Sequence, residues 1–260
     1  MLHGMKSETS LRLQAWARFF RIVNLPTVPG DVLAGAAAVC AFSDLTPSAE
    51  VFACVASMAV ASCFFYLSGL ADNDIVGAGT DTGRPIPDGE ISLRSARVAR
   101  AACLLAGFAS LAAIGRAALF SLPAVFALIA AIAAYNRTKR PLLMGLCRGL
   151  DVLAGAQAAT GLSLFRFVRT PGAGLAVAAA VVVWTAYVAA VAKYSEGEEL
   201  DPRRKRMVGF LVGCIVYLQL AFLVVFTLVD PRLKPLLVAG ALLLVALRLS
   251  KRLFRNVSAS

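Results

Sequence analysis

The side chains whose number and spacing point to chemistry in this sequence are carboxylates. Five of its fifteen acidic residues fall between Asp72 and Ser92 in DNDIVGAGTDTGRPIPDGEIS: Asp72, Asp74, Asp81, Asp88 and Glu90. Four more, Glu196, Glu198, Glu199 and Asp201, fall in KYSEGEELD. Each group lies at the end of a long apolar run. Carboxylates grouped in this way suit a hard divalent cation, and Mg²⁺ takes one or two of them together with phosphate oxygens. A diphosphate is a polyanion that carboxylates reach only through such an ion. Lewis-acid stabilisation of the departing diphosphate is then the main way to break an allylic C–O bond.

On this reading Asn73, Asp74 and Asp81 in the first group and Glu196, Glu198, Glu199 and Asp201 in the second are the metal ligands. Asp74, Asp81 and Asp201 carry the catalytic role. In the second group the register stays open, since Glu196 with Glu199 and Glu198 with Asp201 are both possible pairs. Residues four and eight apart return to nearly one helix face, so Asn73, Gly77 and Asp81 align if a helix continues through them. Basic groups stand ready for the phosphates: Arg84 in RPIPDG, Lys139 in YNRTKRP and Arg148 in MGLCRGLD. Arg148 and Asp151 are one helical turn apart and placed to pair with each other. Asn24 joins the diphosphate-facing residues, because the polar cluster Asn24, Pro26, Pro29, Gly30 and Asp31 opens an apolar run, where polar groups face a cavity and not lipid.

The elements that must position these residues are membrane helices. Hydrophobic residues make up 59% of the 260, mean hydropathy is +0.77, and several windows reach the roughly 20 apolar residues that cross a bilayer. Eight spans are expected, near 24–43, 50–71, 96–115, 117–135, 145–165, 173–192, 207–229 and 234–250. Residues 11 to 22 mix Trp16, Phe19 and Phe20 with Arg12, Arg18 and Arg21. They read either as a helix in the membrane interface or as the inner start of the first span. Pro123 lies within the fourth span and is expected to bend it.

Composition also excludes. One histidine and six scattered cysteines without a CxxC rule out the usual zinc patterns. The cysteines read as small packing residues. No cleavable signal sequence is expected at the start. The net charge of +11 does not imply nucleic acid: with the N-terminus cytoplasmic, only Arg116, Arg166, Arg169, Arg232 and Lys234 of the 26 basic residues lie outside, the asymmetry of the positive-inside rule. Both acidic groups then face the cytoplasm.

The sequence also repeats itself. DVLAGA occurs at Asp31–Ala36 and again at Asp151–Ala156, 120 residues later. The same offset sets Asp81 on Asp201, Gly77 on Gly197, Arg84 on Arg204 and Phe64 on Trp184. Two four-span halves, about 24–135 and 145–250, are therefore expected within a single domain over 1–260. Both halves start on the same side, so they are related by an axis along the membrane normal.

NDIVGAGTD followed by RPIPDGEIS resembles the first signature of the UbiA superfamily of intramembrane prenyltransferases, NDxxDxxxD followed by an RPLPSG-like turn. YNRTKR resembles the family's stretch after the fourth span, and KYSEGEELD stands where the family has its second acidic motif. The resemblance covers most of the chain in order. It departs from the pattern at Gly77, where the family has Asp, and in having eight spans instead of the usual nine. MGLCRGL is similar to a divergent, EboC-like branch. The resemblance implies an all-α polytopic bundle around a central cavity. It also implies Mg²⁺, a prenyl diphosphate donor, and transfer to a lipophilic or aromatic acceptor among membrane lipid. The alternatives are a terpene cyclase or diphosphate-releasing enzyme, and a non-catalytic lipid-binding or transport protein.

Overall fold

Proline and serine set where the helices begin. A computed structural model of the chain describes residues 8–43, 45, 47–79, 83–113, 115–161, 171–197 and 201–254. Helix α1 (Glu8–Phe19) is followed by a 3₁₀ segment, Ile22–Thr27, and then by α2 (Pro29–Ala41). Next come α3 (Ala49–Val76), α4 (Leu93–Ala112), α5 (Arg116–Thr138) and α6 (Pro141–Thr160). The chain continues with α7 (Pro171–Ser195), α8 (Pro202–Val229), a 3₁₀ turn at Pro231–Leu233, and α9 (Lys234–Leu253). Pro29, Pro141 and Pro202 open their helices, where the missing N–H costs nothing. Ser48 and Ser92 cap α3 and α4 by accepting from the N–H groups of Val51 and Ser95.

Eight of these segments are long and apolar enough to cross a membrane. The described residues contain no strand, so the protein is an all-α integral membrane protein. Pro123 lies inside α5, which runs through it without a break. All six cysteines are free thiols. The N-terminal segment is a helix of its own, separated from the first span by the turn at Phe20 and Arg21. Its Ala15 and Phe19 pack with Ala71 of α3, with Ile91 in the turn before α4, and with Ala96 of α4.

The bundle is centred on the two DVLAGA segments. Both α2 and α6 are buried along most of their length. They cross reciprocally: a Cβ on Gly35 would meet the Val152 carbonyl oxygen at 1.8 Å, and one on Gly155 would meet that of Val32 at 2.1 Å. Val152 and Val32 are equivalent positions of the repeat, as are Gly35 and Gly155. Contact of i with j and of j with i is the mark of a two-fold relation. Small residues let the two backbones touch in a medium where close packing drives helix association. Helix α3, with 28 residues, is about 42 Å long, more than the apolar thickness of a bilayer of about 30 Å. The surplus falls at the polar end that carries Asp72, Asn73 and Asp74.

Candidate functional site

At the C-terminal end of α3, Asn73 and Asp74 are buried, 7% and 3% exposed. A carboxylate so enclosed needs charged or hydrogen-bonded partners. Asp74 Oδ1 accepts from Arg84 Nη1 at 2.7 Å, Arg21 Nη2 at 3.1 Å and Asn73 Nδ2 at 3.3 Å. Asn73 Oδ1 accepts from the Lys139 ammonium, which also lies over the Tyr135 ring, 5.8 Å from its centroid. All of the hydrogen bonds Asp74 accepts among the described residues end on Oδ1. The helix does not continue toward Asp81. It stops at Val76, where the Gly77 N–H donates to the Asn73 carbonyl at 3.0 Å, so the continuous helix on which the expected alignment of Asn73, Gly77 and Asp81 depends does not extend past Val76. Asp81 itself, like Glu198 and Glu199, lies outside the described residues.

The three cations reach this point from three different elements. Arg21 and Lys139 are the non-glycine residues with positive φ among those described, at 42° and 54°. Backbone conformations of this kind cost about 1–3 kcal/mol and persist where surroundings impose them, commonly at functional sites. Arg84 comes from a tight turn in which Asp88 N–H donates to the Arg84 carbonyl and Ile91 N–H to the Pro85 carbonyl, each at 3.0 Å. Gly83 and Gly89 bound this turn with φ of 70° and 74°, the left-handed region that glycine enters without a Cβ clash. Beside it, Arg18 of α1 pairs with Glu90.

Asp72 belongs to a different network. It accepts from Arg100 Nη1 at 2.7 Å and from Asn136 Nδ2 at 2.9 Å, and the same Asn136 amide donates to the Gly69 carbonyl at 3.0 Å. Asp72 thus ties α3 to α4 and α5.

Arg148 is not paired with Asp151. Its Nε lies 2.9 Å from Asp31 Oδ2 and its Nη2 donates to the Thr27 carbonyl at 2.5 Å. Asp151 accepts from Ser62 Oγ at 2.5 Å instead. The reason is the α2–α6 crossing, which turns the Arg148 face of α6 onto the first turn of α2. Trp184 Nε1 and Gln219 Nε2 also donate to Asp31 Oδ1, at 2.6 Å and 2.5 Å. Arg148 therefore spends its guanidinium inside the bundle. Asn24 sits in the 3₁₀ segment between these clusters, half-buried. Its N–H donates to the Arg21 carbonyl at 2.8 Å and its carbonyl accepts from Thr27 Oγ1 at 2.7 Å.

The second acidic group is arranged locally. Glu196 pairs with Lys193 at 2.6 Å, and its carbonyl accepts from Arg204 Nη1 at 2.8 Å. Asp201 caps α8 by accepting from the Arg203 N–H at 2.8 Å. Both residues are exposed. Among the described residues no three His, Cys, Asp or Glu side chains converge as a metal cluster. Sequence reasoning did not single out Arg21 or Gln219 for the site. Arg21 was hidden among basic residues that membrane orientation already explains, and Gln219 carried a signal, a lone amide in an apolar run.

No family model matches the sequence, and no curated protein matches it. Solved structures do. A UbiA homologue from Archaeoglobus fulgidus aligns over 95% of this chain and 88% of its own, at 15% identity and a TM-score of 0.53. The homologue bound to DMAPP and Mg²⁺ aligns over 93% of this chain and 87% of its own, at 16% identity and 0.53. A structure described for digeranylgeranylglyceryl phosphate synthase in membranes covers 93% of this chain and 95% of its own, at 16% identity and 0.53. The fold of this chain is UbiA-like.

Proposed function

We propose that this protein is a Mg²⁺-dependent intramembrane prenyltransferase of the UbiA superfamily, which transfers a prenyl group from a diphosphate donor to a lipophilic or aromatic acceptor. The observation that carries this reading is the buried Asn73–Asp74 pair at the end of α3, framed by Arg21, Arg84 and Lys139. Three cations drawn from separate elements onto one carboxylate and one amide form a polyanion site with a metal-binding oxygen at its centre. The UbiA homologue solved with DMAPP and Mg²⁺ supports the same ligand chemistry.

The donor set fits the ion. Mg²⁺ takes one or two carboxylates and completes its shell with phosphate oxygens and water, and Asp74 Oδ2 is the oxygen that the arginines leave unused. Asp81 and the second acidic group, with Asp201, Glu198, Glu199 and Glu196 as candidates, complete the ligand set. When bound, the ion neutralises charge on the departing diphosphate. Arg21, Arg84 and Lys139 hold the phosphate oxygens and stabilise the same developing charge. Asn24 faces the donor from the 3₁₀ segment, while the apolar spans take the prenyl chain and keep water from the allylic cation. Arg148 acts from behind, through Asp31 and Thr27. The charge asymmetry of the sequence supports a site on the cytoplasmic side.

Turnover of a labelled prenyl diphosphate by purified protein tests this. Transfer to an acceptor that stops on chelation and returns with Mg²⁺ is expected. Release of diphosphate with a hydrolysed or cyclised product would replace transferase with the cyclase or diphosphatase reading. Uptake in proteoliposomes without chemical change would replace it with a carrier.

A further inference from the structure

The 3₁₀ segment Ile22–Thr27 has the candidate diphosphate site at one end and a buried amide at the other. We propose that Gln219, in the middle of α8, is a positioning residue for the phosphate-facing segment Arg21–Asn24 and acts through Thr27. This rests on the diphosphate site proposed above.

Gln219 is 2% exposed and is the only charged or amide side chain between Arg206 and Asp230. An amide in a membrane span is costly unless it has partners. Its Nε2 has two protons and two acceptors, the Thr27 carbonyl at 2.7 Å and Asp31 Oδ1 at 2.5 Å, which fixes which end of the amide is nitrogen. Among the described residues its Oε1 accepts no hydrogen bond, so Gln219 serves as a double donor. Gly30 makes room for it: a Cβ there would lie 2.1 Å from Gln219 Oε1 and 2.3 Å from its Cδ.

The latch closes a break in the first span. A helix end leaves carbonyls without partners, and the buried Thr27 carbonyl receives both Gln219 and Arg148. From Thr27 the segment is braced through the Asn24 carbonyl and N–H to Arg21. Arg21, held at φ 42°, then reaches Asp74 Oδ1 at 3.1 Å. Six residues of 3₁₀ helix span about 12 Å, short enough for a tilt at Thr27 to move the Arg21 guanidinium off Asp74. Ser250 Oγ of α9 adds a weaker hold, donating to the Val23 carbonyl at 3.3 Å.

The competing account is that Gln219 merely fastens α8 to α2. It predicts lost stability but unchanged affinity for anion. The test uses full-length protein in detergent, with Gln219→Ala, Gly30→Ala and the double variant, and with inorganic diphosphate plus Mg²⁺ as probe. Each single variant is expected to bind diphosphate about tenfold more weakly, the scale of lost outer-shell support. Donor KM should rise more than kcat falls, and amide exchange over residues 22–27 should quicken. The atoms nearest a Cβ on Gly30 all belong to the Gln219 amide, so the double variant should be no worse than Gln219→Ala, a non-additivity that marks one shared device. Affinity within twofold of wild type in both folded single variants would overturn the proposal. If Gln219→Ala does not fold, Gly30→Ala decides, because it leaves the amide available to α8. Wild-type protein that binds no diphosphate sinks the site reading and this proposal together. Wild-type protein that binds it but transfers nothing sinks only the transferase reading.

Discussion

The polar end of α3 and the polar end of α7 carry similar residues and are built in opposite ways. At α3 a buried carboxylate is met by Arg21, Arg84 and, through Asn73, Lys139, residues 10 to 66 positions away in sequence. At α7 the exposed Glu196 meets Lys193, three residues back, and Asp201 caps the helix that it precedes. The first end is organised by the fold. Among the described residues the second shows local contacts, so Glu196 and Asp201 can turn toward an ion with little loss of tertiary structure. On the function proposed above, the pair would work as a fixed jaw and an adaptable one, the first setting where a diphosphate lies and the second closing on its metal.

The largest expected effect comes from breaking either jaw. Asp74→Ala should lower turnover by at least about 10²–10³-fold, the scale for removing a group that stabilises developing charge. It should also destabilise the fold, since Arg21 and Arg84 lose their shared partner. Asp201→Ser should lose comparable activity with stability nearly unchanged, because serine is also a good N-cap. Labelled-donor turnover and thermal unfolding of the same preparations separate the two. Equal destabilisation by both substitutions would erase the contrast between the two ends.

Next in size is Lys139→Gly. Lys139 holds φ at 54° as the C-cap of α5, a conformation that costs a side chain about 1–2 kcal/mol and glycine little. The substitution is therefore expected to hold or raise the melting temperature while lowering kcat/KM about 10–100-fold, the usual cost of a lost supporting contact. Stability and activity moving in opposite directions would identify the strain at α5 as serving the site.

The architecture was legible in the sequence because hydropathy and repetition are one-dimensional. The eight spans appear near the expected places, and DVLAGA marks the two helices that cross at the centre. The α3 end was less legible. Its helix runs past the apolar segment to Val76, since Asp72, Asn73 and Asp74 find partners from other elements and need not end it. Arg148 showed the limit most clearly. Spacing made Asp151 its natural partner, but the face that α6 presents to α2 is set by the Gly35–Gly155 crossing, which delivers Arg148 to Asp31. Arg21 was hidden for another reason, since the positive-inside rule predicts basic residues there whatever they do.

Gly77→Asp should have a smaller effect, a gain. Gly77 has φ of −82°, which any residue adopts, so a carboxylate can be added without backbone strain. One helical turn from Asn73, it would give the fixed jaw a second acidic ligand. The Mg²⁺ concentration for half-maximal turnover is expected to fall several-fold, in line with the dependence of cation affinity on ligand charge. An unchanged Mg²⁺ requirement would mean that the ion is held mainly by the adaptable end.

The smallest effect is expected at Glu196. Its carboxylate is half exposed and tied to Lys193 in an i, i+3 pair, and exposed pairs of this type contribute about 0–1 kcal/mol. Asp201 already stands at the start of α8, five residues after Glu196. If the second motif uses Glu198 with Asp201, Glu196→Gln should leave both melting temperature and turnover within about twofold of wild type, as for most surface substitutions away from a site. If the register is instead Glu196 with Glu199, the same variant should lose as much activity as Asp74→Ala. We expect the first outcome, because Glu196 keeps a basic partner on its own helix whereas the Asp201 side chain, among the described residues, is held by the Arg203 backbone N–H, an interaction that a bound cation can replace without exposing a buried charge.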